Sequence, residues 1–338
     1  MSASSAPGSA SPRALRVVEE NRRLDFARGV RMPSVSVVIP ALNEAENLPW
    51  VLGRLPIDVH EVVLVDGNST DDTVAVARAG HANIRIVRQH ARGKGAALAA
   101  GLLAARGDIV VMIDADGSMD PAEIPALVGA LLGGADVAKG SRYVVGGGSA
   151  DLTKLRGFGN RVLTYVGRLL YRQRWSELCY GFAAFWSDVI PRLELEAIAG
   201  GPTRELTPED ELAEIIAAGN PDVVGETQLP KKKQPLGYGH GFEIEAILFT
   251  RSVRAGLRVT EVASWEYERQ YGASKLNTFR DGWRVLTALL KERRRRPLSA
   301  ADAQPVISIV TQHDRARELF GAENTLLVDE LIAAQAAG

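Results

Sequence analysis

Short apolar runs alternate with helical periodicity through the first third of the 338-residue chain. Residues 35–39, 61–65, 84–87 and 109–113 are rich in β-branched side chains and apolar almost throughout, the pattern of strands covered on both faces. Between the first two, Leu48, Val51, Leu52 and Leu55 recur at helical spacing, with Pro49 in the first turn. Ser69 ahead of Asp71 and Asp72 reads as an N-cap followed by acids that a helix dipole favours. Residues 94–105 form an Ala/Leu-rich helix. This alternation predicts an α/β fold, a mostly parallel Rossmann-like sheet flanked by helices. The second half is less regular. It predicts helices over 160–171, 208–218, 242–255 and 277–296, strands over 179–186 and 259–262, and a basic, Gly-rich loop over 231–241. Beyond Pro297 come one apolar run, 306–310, and a helix over 324–337.

Charge and composition narrow the classes. Forty Lys and Arg against 41 Asp and Glu leave a net charge of −1, so no global field draws the chain to nucleic acid. Cys179 is the lone cysteine, which excludes an internal disulfide and a multi-Cys zinc site and suits a reducing compartment. The five histidines lack metal-ligand spacing. No apolar stretch approaches the roughly 20 residues that a bilayer requires, and the Ser/Ala/Pro-rich start has no signal-like core. The expectation is a disordered or helical lead-in over 1–33 and a cytoplasmic protein, at most peripheral to the inner face of the membrane.

Carboxylates at strand ends carry the chemistry. Ligands of an open parallel sheet bind beyond the carboxyl ends of its strands. Those ends hold Asn43 and Glu44 after the first strand, Asp66 after the second, and Asp114-Ala115-Asp116 after the fourth. Two acids spaced by one residue can reach one hard cation, Mg²⁺ or Mn²⁺, that also takes phosphate oxygens. The plain alternative is a surface turn with solvated carboxylates.

The motifs PALNEAEN, VDGNSTDDT, ARGKGAA and DIVVMIDADGS, in this order, resemble the nucleotide-sugar half of family 2 glycosyltransferases. KGSRYVVGGG, ELCYGFAAFW, GHGFEIEAI and ERQYGASKL resemble the dolichyl- or polyprenyl-phosphate sugar synthases of that family. The resemblance runs from about Ser34 to Leu290. It implies a GT-A fold over 34–296, with a nucleotide-sugar half at 34–145 and an acceptor half at 146–296. An insertion at 194–240 and an extension at 297–338 would be additions to it. It also implies that Pro40, Ala41, Asn43, Glu44 and Asp66 hold base and ribose, with Lys94 of the GKG turn beside the nucleotide. Asp114, Ala115 and Asp116 would bind the metal and donor diphosphate, the two acids being the metal ligands. Arg142, Arg269 and Lys275 would face diphosphate or acceptor phosphate. For Lys94 the plain alternative is a solvated lysine at a helix start, and for the three other cations, surface charge. Two departures stand out. Ser118 replaces a frequent Gln after the D-x-D, and ELCYGFAAF replaces D-L-T-G-x-F-R, removing an Arg.

Family 2 enzymes invert, the acceptor oxygen attacking in line as the nucleoside diphosphate leaves. A phosphate acceptor is already anionic and needs no base, whereas a hydroxyl must lose its proton. Glu243 is the first candidate base and the Glu209-Asp210 pair its competitor; both also read as helix-start acids. Asp116 and Arg269 complete the expected catalytic set. The apolar stripe Leu276, Phe279, Trp283, Leu286 and Leu290 of the basic 277–296 helix reads first as packing on its own domain, and otherwise as lying on an anionic membrane. Expected partners are thus a UDP- or GDP-linked sugar, a polyprenyl phosphate or a small hydroxyl acceptor, no nucleic acid, and, as an open alternative to a monomer, a second copy in a homodimer. A nucleotidyltransferase would need a Gly-rich basic loop where this chain has LNEAEN, and a P-loop kinase more than RGKG. A non-catalytic nucleotide-sugar binder is the remaining alternative.

Overall fold

Residues with no exposure on either face build the centre of the sheet. In the computed structural model, which describes residues 32–207, 209–210, 236–272 and 276–295, strands β1 (Val35–Ala41), β2 (Glu61–Asp66), β3 (Ile84–Arg88) and β4 (Ile109–Met112) form its parallel core. Val37, Val38, Val62, Val63, Val110 and Val111 are wholly buried there. The remaining strands are β5 (Val137–Ser141), β6 (Gly148–Ser149), β7 (Ala183–Trp186), β8 (Arg204–Leu206), β9 (Val259–Ala263) and β10 (Trp265–Glu266). The large sheet runs β8-β3-β2-β1-β4-β7-β5-β9, with β7 and β8 antiparallel to their neighbours, and β6 pairs with β10 separately. The helices are α1 (Leu48–Gly53), α2 (Thr73–Gly80), α3 (Lys94–Ala104), α4 (Ile124–Leu132), α5 (Lys154–Tyr171), α6 (Glu196–Ala199), α7 (Ile244–Arg254) and α8 (Thr278–Arg294).

Small residues set how closely the layers approach. Helix α3 is buried on every side from Gly95 to Leu102. A Cβ on Gly101 would lie 2.3 Å from Val38 Cγ1, so the helix sits nearly on the strand. Pro40 is admissible in a central strand because β4 pairing ends at Met112, opposite Val38. Beyond that point the β4 side of β1 is open, and the chain can deliver Asp114.

Several expectations change. The aromatic strand is only Ala183–Trp186, because β4, its partner, stops at Met112. Ser69 does not cap α2; Asp72 holds that position, and the Ser69 hydroxyl instead accepts from Asn43 N at 3.0 Å. β5 was not anticipated, since Lys139 and Ser141 disguise it. Lys139 is nevertheless fully buried, its Nζ 3.1 Å from Gly140 O and 5.0 Å from the Phe249 ring centroid. The 194–240 segment begins as an ordered part of the sheet, giving α6 and edge strand β8. Apart from residues 209 and 210, the 208–218 helix lies outside the described residues, as do 306–310 and 324–337.

Candidate active site

The carboxyl ends of β1, β2 and β4 are held by a web of short polar contacts. Asn43 adopts φ 56°, a left-handed turn that asparagine tolerates. Its Oδ1 accepts from Thr70 N at 2.8 Å, and Glu44 N donates to Thr73 Oγ1 at 2.9 Å. These bonds stitch the loop after β1 to the loop after β2. Pro40 and Ala41 pair with Val65 and Asp66 in the same register. Asp66 is fully buried and accepts from Ser69 N at 3.1 Å, Asn68 N at 3.2 Å and Arg88 at 2.6 Å. It therefore shapes its loop as well as closing the strand. Asn47 reaches across, its Oδ1 accepting from Tyr271 N at 2.9 Å.

The two D-x-D acids each meet a cation. Asp114 lies 2.8 Å from Lys94 Nζ, and Asp116 2.9 Å from Arg269. Ala115 between them is buried. Ser118 N caps the Asp116 carboxylate at 3.0 Å, and Gln270 N donates to Asp116 O at 3.3 Å. Residues 267–271 thus fold over the D-x-D turn. Arg269 Nε is buried and has no partner among the described residues, a donor open to an incoming oxygen. Lys275 lies outside the described residues.

Lys94 is no solvated helix-start lysine. It opens α3 and its Nζ also lies 2.9 Å from Glu245, under the ring of Phe242 at 5.4 Å. Burial would pull its pKa down, but Asp114 and Glu245 outweigh this and hold the ammonium above its ordinary value. Glu245 is a site residue that sequence reasoning missed. The GFEIE motif contains it, but Glu243 and Glu245 lie two residues apart at a helix start, and 100° per residue turns them to different sides.

Glu243 faces a strap formed by Leu236–Gly241. Its Oε1 accepts from Gly239 N at 3.0 Å and Gly241 N at 3.3 Å, and its Oε2 from Arg284 Nε at 2.8 Å. Arg284 in turn donates to Gly237 O at 2.7 Å. The strap lies on the GKG turn: Gly95 N donates to His240 O at 2.9 Å. A Cβ on Gly95 would stand 1.8 Å from Gly239 O, and one on Gly93, at φ 119°, 2.1 Å from His240 O. Both glycines are thus demanded by backbone crossing backbone.

Two other expected residues, Arg142 and Asp210, have partners within the chain. The Arg142 guanidinium is buried between Glu177 and Glu266, bonding the latter at 2.6 Å and Glu177 through Nε at 2.9 Å, with the Tyr180 ring 4.7 Å away. Its partners here are carboxylates of its own chain. Asp210 caps a helix start reciprocally with Thr207 and pairs with Arg204 at 2.5 Å; Glu209 beside it is exposed. Since β8 runs antiparallel to β3, with Leu206 opposite Ile86 and Arg204 opposite Arg88, the chain heads toward the amino end of β3. That is the end of the sheet away from the D-x-D acids.

Comparison with known proteins bears on the family and the fold. Residues 36–193 match the family model for glycosyl transferase family 2. An uncharacterized glycosyltransferase of Mycobacterium tuberculosis is 48% identical over 114 residues, 34% of this chain and 51% of that protein. The chain thus spans about half the length of the first curated relatives it matches. An undecaprenyl-phosphate mannosyltransferase of Micrococcus luteus is 27% identical over 256 residues, covering 72% of this chain and 87% of that one. Among solved structures, glucosyl-3-phosphoglycerate synthase of Mycobacterium tuberculosis, in complex with Mn²⁺, UDP and glucosyl-3-phosphoglycerate, superposes with a TM-score of 0.51 at 22% identity. The match covers 86% of this chain and 87% of that one, and it shows a shared fold. Residues 36–193 therefore resemble glycosyl transferase family 2, and the chain shares the GT-A fold of that solved structure.

Proposed function

We propose that this protein transfers a sugar from a UDP- or GDP-linked donor to a polyprenyl phosphate, inverting the anomeric centre, with Mg²⁺ or Mn²⁺ held by Asp114 and Asp116. The observation that carries the reading is the gathering of Asp66, Asp114, Asp116, Lys94 and Arg269 at the carboxyl ends of adjacent strands. Two carboxylates from one strand end suit a hard cation, and the Arg269 Nε, without a partner among the described residues, suits an anionic oxygen beside it. The residues present fit the metal. When bound, it stabilises the charge that develops on the leaving diphosphate. Lys94 and Arg269 add fixed positive charge at the same place. The loops after β1 and β2, stitched through Asn43, Ser69 and Thr73, shape the nucleoside side.

Two features favour a lipid phosphate as acceptor. A phosphate needs no proton removed, and both oxygens of Glu243 are already engaged by the strap and Arg284. We read Glu243 as the anchor of the strap rather than a base. The second feature is the outer face of α5 and α8, which lie together through Tyr171 OH donating to Leu289 O at 2.7 Å. Phe158, Leu169, Phe279 and Trp283 are 67%, 63%, 78% and 67% exposed. Val285, Ala288 and Leu289 do the inward packing, whereas Phe279, Trp283 and Leu290 of the apolar stripe face outward and Leu276 and Leu286 are half-buried. Exposed charges on both helices are basic only, since Asp281 and Glu292 are buried. An apolar face on two helices whose exposed charges are cations matches an anionic membrane surface.

The test incubates the full chain with UDP- and GDP-sugars, MnCl₂, and either a short polyprenyl phosphate or 3-phosphoglycerate, the latter chosen from the structural neighbour. Transfer to the polyprenyl phosphate, falling about 10²–10³-fold in Asp116→Asn, is expected. Transfer to the soluble hydroxyl alone would refute the acceptor assignment. Donor binding without transfer to either acceptor points to a non-catalytic binder.

A further inference from the structure

The D-x-D acids are already neutralised by side chains. Asp114 is paired to Lys94 at 2.8 Å and Asp116 to Arg269 at 2.9 Å. Among the described residues no group of three or more His, Cys, Asp or Glu is placed to hold a metal ion. A cation at this site therefore has two protein carboxylates, and the rest of its shell must come from diphosphate and water. To reach those carboxylates it must break two partly buried ion pairs and leave two cationic side chains facing it. A diphosphate arriving with the cation removes that penalty, because its oxygens give Lys94 and Arg269 new anionic partners. The molecule is prepared for this exchange on both sides. Lys94 keeps Glu245 at 2.9 Å when Asp114 is taken, and the buried Nε of Arg269 has no partner among the described residues.

We propose that Lys94 and Arg269 are positioning residues that make divalent-cation and nucleoside-diphosphate binding cooperative, by occupying the metal-binding carboxylates until the diphosphate releases them. The proposal rests on the donor-site reading above. By linkage, the cation must tighten the nucleotide by the same factor that the nucleotide tightens the cation. Loss of either basic group has opposite effects on the two ligands, which no merely structural role would produce. Cation affinity without nucleotide rises, while nucleotide affinity falls.

The experiment is calorimetric titration of the full chain with MnCl₂ alone, with UDP or GDP alone, and with both together. It compares wild type, Arg269→Met, the double variant Lys94→Met/Glu245→Gln, and Asp116→Asn. Arg269, the more exposed of the two cations, is the variant least disturbing to folding, and the double variant avoids a buried unpaired acid. Wild type should bind Mn²⁺ about tenfold or more tightly with nucleotide than without. Arg269→Met should bind Mn²⁺ alone about tenfold more tightly than wild type and show a smaller coupling factor. Asp116→Asn should lose the cation under both conditions. A wild-type ternary complex combined with unchanged or weaker binding of Mn²⁺ alone in both basic variants would overturn the exchange while leaving the donor site standing. Absence of any ternary complex with UDP or GDP in the wild type would overturn the donor-site reading and the exchange with it.

Discussion

At the scale of single residues, Arg142 shows how one side chain type serves two ends. A basic residue in the SRY motif suggests an anion contact, yet its guanidinium lies between Glu177, itself fully buried, and Glu266. Removing one member of such a group leaves an uncompensated buried charge. Arg142→Leu should therefore lower unfolding free energy by about 3–5 kcal/mol in urea titrations. Nucleotide affinity, measured where the variant is folded, should change little; a selective loss of affinity with normal stability would make Arg142 a ligand contact. Arg142→Lys should recover only part, because a point charge cannot bond both acids in the forked geometry. The neighbouring contrast is Glu243 against Glu245. Both were visible as acids, but only packing revealed that one grips Arg284 and the other Lys94.

At the scale of elements, the strap over the GKG turn is the contact most open to testing. Its backbone crosses α3 so closely that Gly95 has no room for a methyl group. Gly95→Ala should push Leu236–Gly241 away and cost about 1–3 kcal/mol of stability. It should also weaken Mn²⁺-dependent nucleotide binding, because Lys94 is the next residue back. Normal thermal stability and normal nucleotide affinity in this variant would show that the strap moves freely. The strand set teaches the same lesson from the opposite direction. β1, β2, β3 and β4 were legible because each is apolar on both faces. β5 was not, because its buried Lys139 meets, beside the adjacent Gly140 O, Glu261 and the Phe249 ring, which lie far away in sequence.

At the scale of the whole molecule, the α5 and α8 face and the titrating groups set behaviour in solution. Phe158→Asp with Trp283→Asp should abolish co-sedimentation with phosphatidylglycerol vesicles, and wild-type binding should weaken as salt rises. Equal binding to neutral phosphatidylcholine vesicles would remove the role of the exposed cations. One contribution to acid stability comes from His81, whose pKa is lowered by burial and whose Nδ1 has no partner among the described residues. The unfolded chain binds this proton more readily than the folded one. The contribution of His81 is therefore intact above the unfolded pKa of about 6.5 and is lost as pH falls through the lower folded value. Urea midpoints at pH 7.5 and 5.5 should differ less in His81→Gln than in wild type.

The sequence by itself determined the parallel core, the order of its helices and the strand-end acids, because those signals are local. Apolar runs, helical spacing and a D-x-D after a strand are read within a dozen residues. Tertiary structure decided what each polar group faces. Lys94 meets Glu245 across 151 positions and Asn47 meets Tyr271 across 224, and no local pattern encodes such pairings. It also decided which stripe of α8 is inward, since Val285, Ala288 and Leu289 are no more apolar than Phe279 and Trp283. Burial there is a property of the neighbouring helix, not of the side chains themselves.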